Sequence, residues 1–382
     1  MPRDTPRAGQ PVPLVRVRIG TETGPCRLGA GQGFVLPDLQ QEITGSLITA
    51  APENGEVAIS DTLGNILFKG PGPVRLEARE KGQVRFGSRE YGGAIRLLCR
   101  QDTMVIINIL DMENYLKGVL PLEMGDRTED EYASLLAQAV AARTYALFQL
   151  NKTGATPLAS DEMDQVYGGS GVWKENASRA VDQTRGEVLV CNDSLIKANY
   201  SSTCGGRTEL PENVWPDRRS GCFVSVEDTF CAVSRHYQWQ ELWPAAEMER
   251  LLKKYIPLAV KDTVDTAFKL QDIRVLNRLT SGRADTLEIV TDKGVYRFSR
   301  DPLRWVLRRP HEREPILRSS FIEVEVLRGQ DGTIDTVKVN GRGNGHGVGM
   351  CQWGAIGRAR AGHSYEAILD HFYPRARKKK LY

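Results

Sequence analysis

The sequence predicts an α+β protein: a β-rich N-terminal region, a helical segment, and a mixed C-terminal part. Three observations carry this. Short β-type runs divided by Gly, Pro and Asn fill residues 13–110, helical spacing of apolar residues takes over at 111–150, and the two patterns then alternate as far as residue 372. A chain of 382 residues is long enough for two or three domains and a sizeable core.

A Pro- and Arg-rich lead, 1–12, is expected to be flexible. The β-rich region 13–103 follows, with strands at Leu14–Ile19, Glu56–Ile59 and Val84–Phe86, and another at Met104–Leu110. Asp111 is suited to cap a helix whose apolar positions are 112, 115, 116, 119 and 120, and Pro121 is expected to end it, leaving Glu123 between two helices. From Glu129 to Leu150, Tyr132, Leu135, Leu136, Ala139, Val140, Ala142 and Leu147 recur at helical spacing. Residues 156–240 read as loop-rich, with strand-like runs at Glu187–Val190 and Ile196–Tyr200. A helix at Pro244–Tyr255 precedes strands near Lys269–Leu276, Thr286–Thr291 and Val295–Phe298. A hairpin then joins Phe321–Leu327 to Ile334–Val339 through Gln330, Asp331 and Gly332. We read 104–240 as one core, 241–340 as a mixed subdomain inserted into it, and 341–375 as the segment that completes it. That last segment has a glycine-rich stretch and helices at 351–361 and 364–372; a basic tail, 376–382, closes the chain.

Composition narrows the function. Subtracting 48 acidic from 51 basic residues leaves +3, too little to argue for nucleic acid, and none is expected as a partner. The most apolar runs, Met104–Leu110 and Leu135–Leu150, are short or interrupted, so no membrane span is expected. The opening residues lack the apolar stretch of about 7–15 residues found in a secretory signal, which leaves either a cytoplasmic chain or one whose signal was removed or omitted. The seven cysteines form no CxxC pair, and an odd count leaves at least one outside any intramolecular disulfide.

Several constellations carry chemistry. Glu123 has Leu120, Pro121, Leu122 and Met124 as neighbours, apolar company that resists ionisation and suits a general acid; the plainer reading is a solvated linker glutamate. Asp111, Glu113, Asp126 and Glu129 are the nearby carboxylates for a two-acid mechanism, with capping the plainer role for Asp111 and Glu129. Glycine occupies every second position from Gly341 to Gly349, so the backbone there can approach a ligand closely, or else forms a turn packed on the core with His346 as a brace. It fits neither GxGxxG nor a phosphate loop. Cys204, Cys222, Cys231 and His236 offer four zinc ligands at unfamiliar spacing; disulfides or free thiols are the preferred reading, and no cofactor is expected. Ser194 and Lys197 match SxxK, but the KTG at 152–154 precedes rather than follows it, and HEREP at 311–315 is not HExxH.

Together DMENYLKGVLPLEM (111–124), LLAQAVAARTYAL (135–147), YSSTCGGRTE (200–209) followed by NVWP, and the segment 341–374 resemble the stage II sporulation protein D family, also called the SpoIID/LytB or amidase-enhancer family. The motifs occur in the family's order and span about half the chain. The resemblance implies a peptidoglycan lytic transglycosylase, a lyase that cuts glycan strands stripped of stem peptides between N-acetylmuramic acid and N-acetylglucosamine with a 1,6-anhydro product. Glu123 would be its single acid and base, in a groove between the 111–150 helices and 341–374. Arg143, Tyr200, Ser201, Gly345, His346 and Gln352 are the expected substrate contacts. The alternative it implies is a non-catalytic wall-binding enhancer of a cell-wall amidase. Some members bind zinc through a Cys/His cluster before a Gln-Val-Tyr segment, but residues 159–167 carry no Cys or His, so that site is not expected here. The family works outside the cytoplasm, which implies an export segment lost or trimmed from this chain. Membership extends to bacteria that form no spores.

Overall fold

The computed structural model describes residues 11–154, 156–161, 163–215, 220–260 and 263–382, so the expected lead lies outside the described residues but for its last two. They form two compact units. The first holds the described residues up to Lys197 together with Lys378–Tyr382, and the second is Ala198–Arg377. The division therefore falls inside the stretch 104–240 read as one core.

In the first unit the β-rich N-terminal region makes two sheets. One runs, strand beside strand, Leu158–Ala159, Leu14–Glu22, Thr103–Asp111, Ala94–Arg100, Val74–Ala78, Phe34–Leu36 and Gln41–Ile43. The other runs Arg89–Tyr91, Val84–Phe86, Cys26–Gly29, Leu47–Glu53, Glu56–Ser60 and Ile66–Gly70. Leu14–Glu22 pairs antiparallel with Thr103–Asp111 in a register that sets Val17 opposite Asn108. Val15 and Val17 on the first strand, and Met104, Ile106 and Leu110 on the second, are buried at alternate positions, as a core-facing sheet requires.

Thr103–Asp111 leads directly into helix α1, Met112–Met124, and the Asp111 carboxylate caps it by accepting from the backbone N–H groups of Glu113 and Asn114, both at 3.0 Å. Pro121 does not end this helix. It sits in the last turn, where its ring removes one hydrogen bond while Leu116, Val119, Leu120 and Met124 stay buried, and the Pro121 carbonyl accepts from Gly125 N at 3.0 Å. Helix α2, Tyr132–Thr153, begins after a 3-10 turn at Glu129–Glu131 rather than at Glu129. Helix α3, Glu175–Gln183, follows. The expected basic tail is instead a strand, Arg377–Lys380, in a three-stranded sheet with Glu187–Cys191 and Ser194–Leu195. Its basic side chains face outward on an edge while Leu381 is fully buried and donates its N–H to the Gly186 carbonyl at 2.9 Å.

The second unit opens with a short helix and a longer one: α4, Pro211–Val214, and then α5, Ala245–Val260. Gln238–Pro244, Ile334–Arg342 and Ile322–Arg328 form one sheet in that spatial order; Leu270–Arg278, Ala284–Thr291 and Gly294–Ser299 form a meander. Trp243, Leu251, Leu252, Phe268, Leu287, Ile289 and Val337 fill a single apolar core between these elements and α6, Leu303–Val306. The expected strand Ile196–Tyr200 shrinks to Tyr200–Ser201, which pairs in parallel with Met350–Cys351. That short ladder introduces α7, Gln352–Arg360, and α8, Tyr365–Phe372.

Candidate functional site

In the first unit Glu123 lies in the last turn of α1, half-buried, rather than in a linker between helices. Its apolar sequence neighbours do not enclose it: Leu120, Pro121 and Met124 are buried while Leu122 is exposed, so a helical turn sorts them onto other faces. What holds the carboxylate is the strap 165–169. Val166 N donates to Glu123 Oε1 at 3.2 Å, and Gly168 N donates to the Gly118 carbonyl at 3.1 Å. Gly118 is needed for this approach, since a Cβ there would stand 2.5 Å from the Tyr167 ring and 2.7 Å from the Gly169 carbonyl oxygen. The strap is itself pinned. Tyr115 OH donates to Gln165 Oε1 at 3.1 Å, Gln165 Nε2 donates to the Ala142 carbonyl at 3.2 Å, and Tyr167 OH donates to Asn108 Oδ1 at 2.6 Å. Burial holds the Tyr115 phenol well above its ordinary range, so it stays a neutral donor.

Arg143, expected to meet substrate, is fully buried on α2. Its guanidinium clasps Glu113 through Nε to Oε1 at 3.0 Å and Nη2 to Oε2 at 2.6 Å, and donates to the carbonyls of Glu187 at 3.1 Å and Val181 at 3.2 Å. Tyr382 OH adds a bond to Glu113 Oε1 at 2.7 Å. This network braces α1, α2 and the sheet edge, which leaves the Arg143 guanidinium no free fork for a ligand carboxylate.

The second unit brings Tyr200, Ser201, Gly345 and His346 together. Ser201 Oγ, buried, accepts Gly347 N at 3.2 Å, and the Cβ position of Gly345 is 2.9 Å from Ser201 Cβ. His346 Nδ1 accepts Val348 N at 3.0 Å, and its ring lies 4.9 Å from the Trp215 ring. Desolvation holds the imidazole at about 4, with Asp301 opposing and Arg304 and Arg283 adding to the depression, so the ring is neutral at pH 7; it also hydrogen-bonds the Tyr200 backbone. Gln352, buried, is the first residue of α7. The alternating glycines serve the protein's own packing. At Gly347, φ is +77° and a Cβ would lie 2.2 Å from Arg283 Nη2; at Gly349, φ is +73° and a Cβ would lie 2.0 Å from the Asn199 carbonyl oxygen.

The four residues weighed as zinc ligands do not meet as a set. Cys222 is in the disulfide form, as is Cys191, and His236 contacts the guanidinium groups of Arg235 and Arg318. Cys204 and Cys231 do meet, and with them Cys351 and Asp228; the four ligand atoms lie within 4.8 Å of one another, all from buried residues. Sequence reasoning missed Asp228 and Cys351 because the gaps, 24, 3 and 120 residues, match no local metal motif. It also missed the strap 165–169, whose signal is Gln165, Val166 and Tyr167 ahead of the Gly168–Gly169 pair.

A family model described as a stage II sporulation protein matches residues 100–191, and one described as a domain of unknown function matches 222–349. An uncharacterized protein of Brachyspira hyodysenteriae is 32% identical over 291 residues, covering 74% of this chain and 71% of that protein. The amidase enhancer of Bacillus subtilis is 33% identical over 298 residues, 68% of this chain but only 39% of the enhancer's length. Stage II sporulation protein D of the same organism is 27% identical over 285 residues, 69% of this chain and 73% of that protein. Glu123, its supporting strap and the Arg143–Glu113 pair all fall within the first matched span. The chain belongs to the SpoIID/LytB, or amidase-enhancer, family.

Proposed function

We propose that this protein acts on the cell wall outside the cytoplasm, as a lytic transglycosylase that cuts peptide-stripped glycan strands between N-acetylmuramic acid and N-acetylglucosamine. The observation that carries this reading is a half-buried Glu123 whose carboxylate accepts the Val166 N–H and is oriented by it. Of the other carboxylates near it in sequence, Asp111 caps α1, Glu113 is locked to Arg143, Glu129 pairs with Arg179 at 2.6 Å, and Asp126 is exposed. A mechanism with one acid fits that distribution.

Protonated Glu123 gives its proton to the glycosidic oxygen as the bond from that oxygen to C1 of the muramic sugar breaks, and positive charge spreads over C1 and the ring oxygen. The C6 hydroxyl oxygen then bonds to C1, and its proton goes to the Glu123 carboxylate, which restores the acid. No water is consumed, and the product is a 1,6-anhydro sugar. Within the second unit by itself, the neutral His346 ring beside Trp215, with Tyr200 and Gln352, offers uncharged groups suited to binding sugar hydroxyls, while Ser201 and Gly345 shape the loop that carries them.

Purified protein incubated with peptide-stripped glycan strands should release 1,6-anhydro-muramic ends detectable by mass spectrometry, and Glu123→Gln should lower the rate by about 10²–10⁴-fold. New reducing ends instead would mean hydrolysis by water. A second reading follows from the likeness to the amidase enhancer: a wall-binding module that stimulates a cell-wall amidase. Intact strands, retained binding, and faster amidase turnover in both wild type and Glu123→Gln would favour it.

A further inference from the structure

We propose that Cys204, Asp228, Cys231 and Cys351 bind one zinc ion, in a buried site that clasps three segments of the second unit. Zinc takes Cys thiolate and carboxylate ligands at about 2.3 and 2.1 Å in a tetrahedron, which fixes sulfur–sulfur edges near 3.8 Å and sulfur–oxygen edges near 3.6 Å. Cys204 Sγ lies 3.6 Å from Cys231 Sγ and 3.5 Å from Asp228 Oδ2. All four ligand atoms fall within 4.8 Å of one another, and all four residues have lost their solvent contact.

A cation explains what the protein atoms leave unexplained. Asp228 is 0% exposed, yet its Oδ1 makes no hydrogen bond, and the nearest cationic group, Arg358 Nη2, stands 3.7 Å away. An interior carboxylate so poorly paired is costly unless a metal takes it. A disulfide is a poorer account. The Cys204–Cys231 sulfur separation is far beyond the bonded length of about 2.05 Å, and a bond between any two of the three thiols would leave the third thiol and Asp228 without a role.

The surroundings also suit metal-bound thiolates. Cys351 Sγ accepts two backbone N–H groups, from Cys204 at 3.1 Å and from Gly354, in the first turn of α7, at 3.3 Å. Gly354 leaves room for the carboxylate, since a Cβ there would lie 2.0 Å from Asp228 Oδ2. Three thiolates and a carboxylate around a divalent ion leave excess negative charge. Arg358 lies beside it, and Arg283, fully buried, donates to the Cys204 carbonyl at 2.6 Å. The ligands come from the 200–209 turn, the 228–233 turn and the residue that caps α7, so the ion would fasten the glycine-rich loop at its far end.

The test uses the full chain, purified reduced without chelators or a metal-affinity tag. Elemental analysis should find one zinc per chain, released by a mercurial reagent. Cobalt loading should give intense visible bands and the near-ultraviolet charge-transfer absorption of tetrahedral thiolate ligation. Cys231→Ser should lower zinc affinity by more than about ten-fold, whereas Cys26→Ser, on a strand of the first unit, should leave it unchanged. Should Cys231→Ser fail to fold, the wild-type cobalt spectrum and zinc-dependent protection of Cys204, Cys231 and Cys351 from alkylation carry the test. Reduced wild-type protein that takes up neither zinc nor cobalt, or that holds a Cys204–Cys231 disulfide with no metal after reduction and zinc addition, would overturn the proposal. Glycan cleavage does not enter these readouts, so the two readings stand or fall separately.

Discussion

Glu113→Gln tests whether the buried pair with Arg143 is structural. The substitution keeps the shape of the side chain but removes its charge, leaving a guanidinium with 0% exposure opposite an amide whose N–H₂ faces another donor. Removing one partner of a buried pair costs about 3–5 kcal/mol, because the surviving charge stays desolvated. At about 2–4 °C per kcal/mol for a unit of this size, the first unit's calorimetric transition in the full chain should fall by about 6–20 °C. The companion Glu113→Leu with Arg143→Met, which replaces both charges by apolar groups, should recover much of the loss. A shift under about 2 °C for Glu113→Gln, or a double variant no better than the single, would refute the bracing role. The same experiment separates bracing from ligand binding, because a substrate-contacting Arg143 would alter glycan affinity with little change in melting.

Two more expectations concern the second unit. His346 should titrate near pH 4 by NMR, and because the unfolded chain binds the proton near 6.5 while the folded one does not, stability should rise with pH between about 4 and 6.5 and level off above; a midpoint at or above 6.5 would contradict its desolvation. Gly349→Ala should destabilise by more than about 2 kcal/mol, whereas Gly332→Ala, with φ of +79° but open space around it, should cost only the ~1–2 kcal/mol of the left-handed backbone; equal losses in chemical unfolding would mean that contact with Asn199 does not matter.

Local pattern made much of the fold legible. Asp111 followed by apolar residues at 112, 115, 116, 119 and 120 specifies α1, and the turn at Gln330–Gly332 specifies a hairpin, because caps and turns are decided by a few adjacent residues. Where tertiary packing outweighs a local rule, the sequence misleads. Pro121 is tolerated since the buried face of α1 repays one lost hydrogen bond, and the basic residues after Arg375 form an edge strand because Leu381 and Tyr382 anchor the chain beyond them. Arg143 looked free because its partner is 30 residues away, across two helices. The cysteine cluster was hidden for the same reason: ligands gathered from positions 204 to 351 leave no spacing to read. Glu123 was legible only through family motifs, since its apolar neighbours turn out to face elsewhere.

The chain leaves its first unit after Lys197 and re-enters it at Lys378, so the strand Arg377–Lys380 and the hydroxyl that Tyr382 offers to Glu113 are made after the whole of the second unit. During synthesis the intervening 180-residue body, Ala198–Arg377, is therefore able to collapse while its host still lacks an edge. Until Arg377–Tyr382 have been made, the carboxylate of Glu113 lacks the Tyr382 hydroxyl and the sheet edge at Glu187–Cys191 lacks its neighbouring strand.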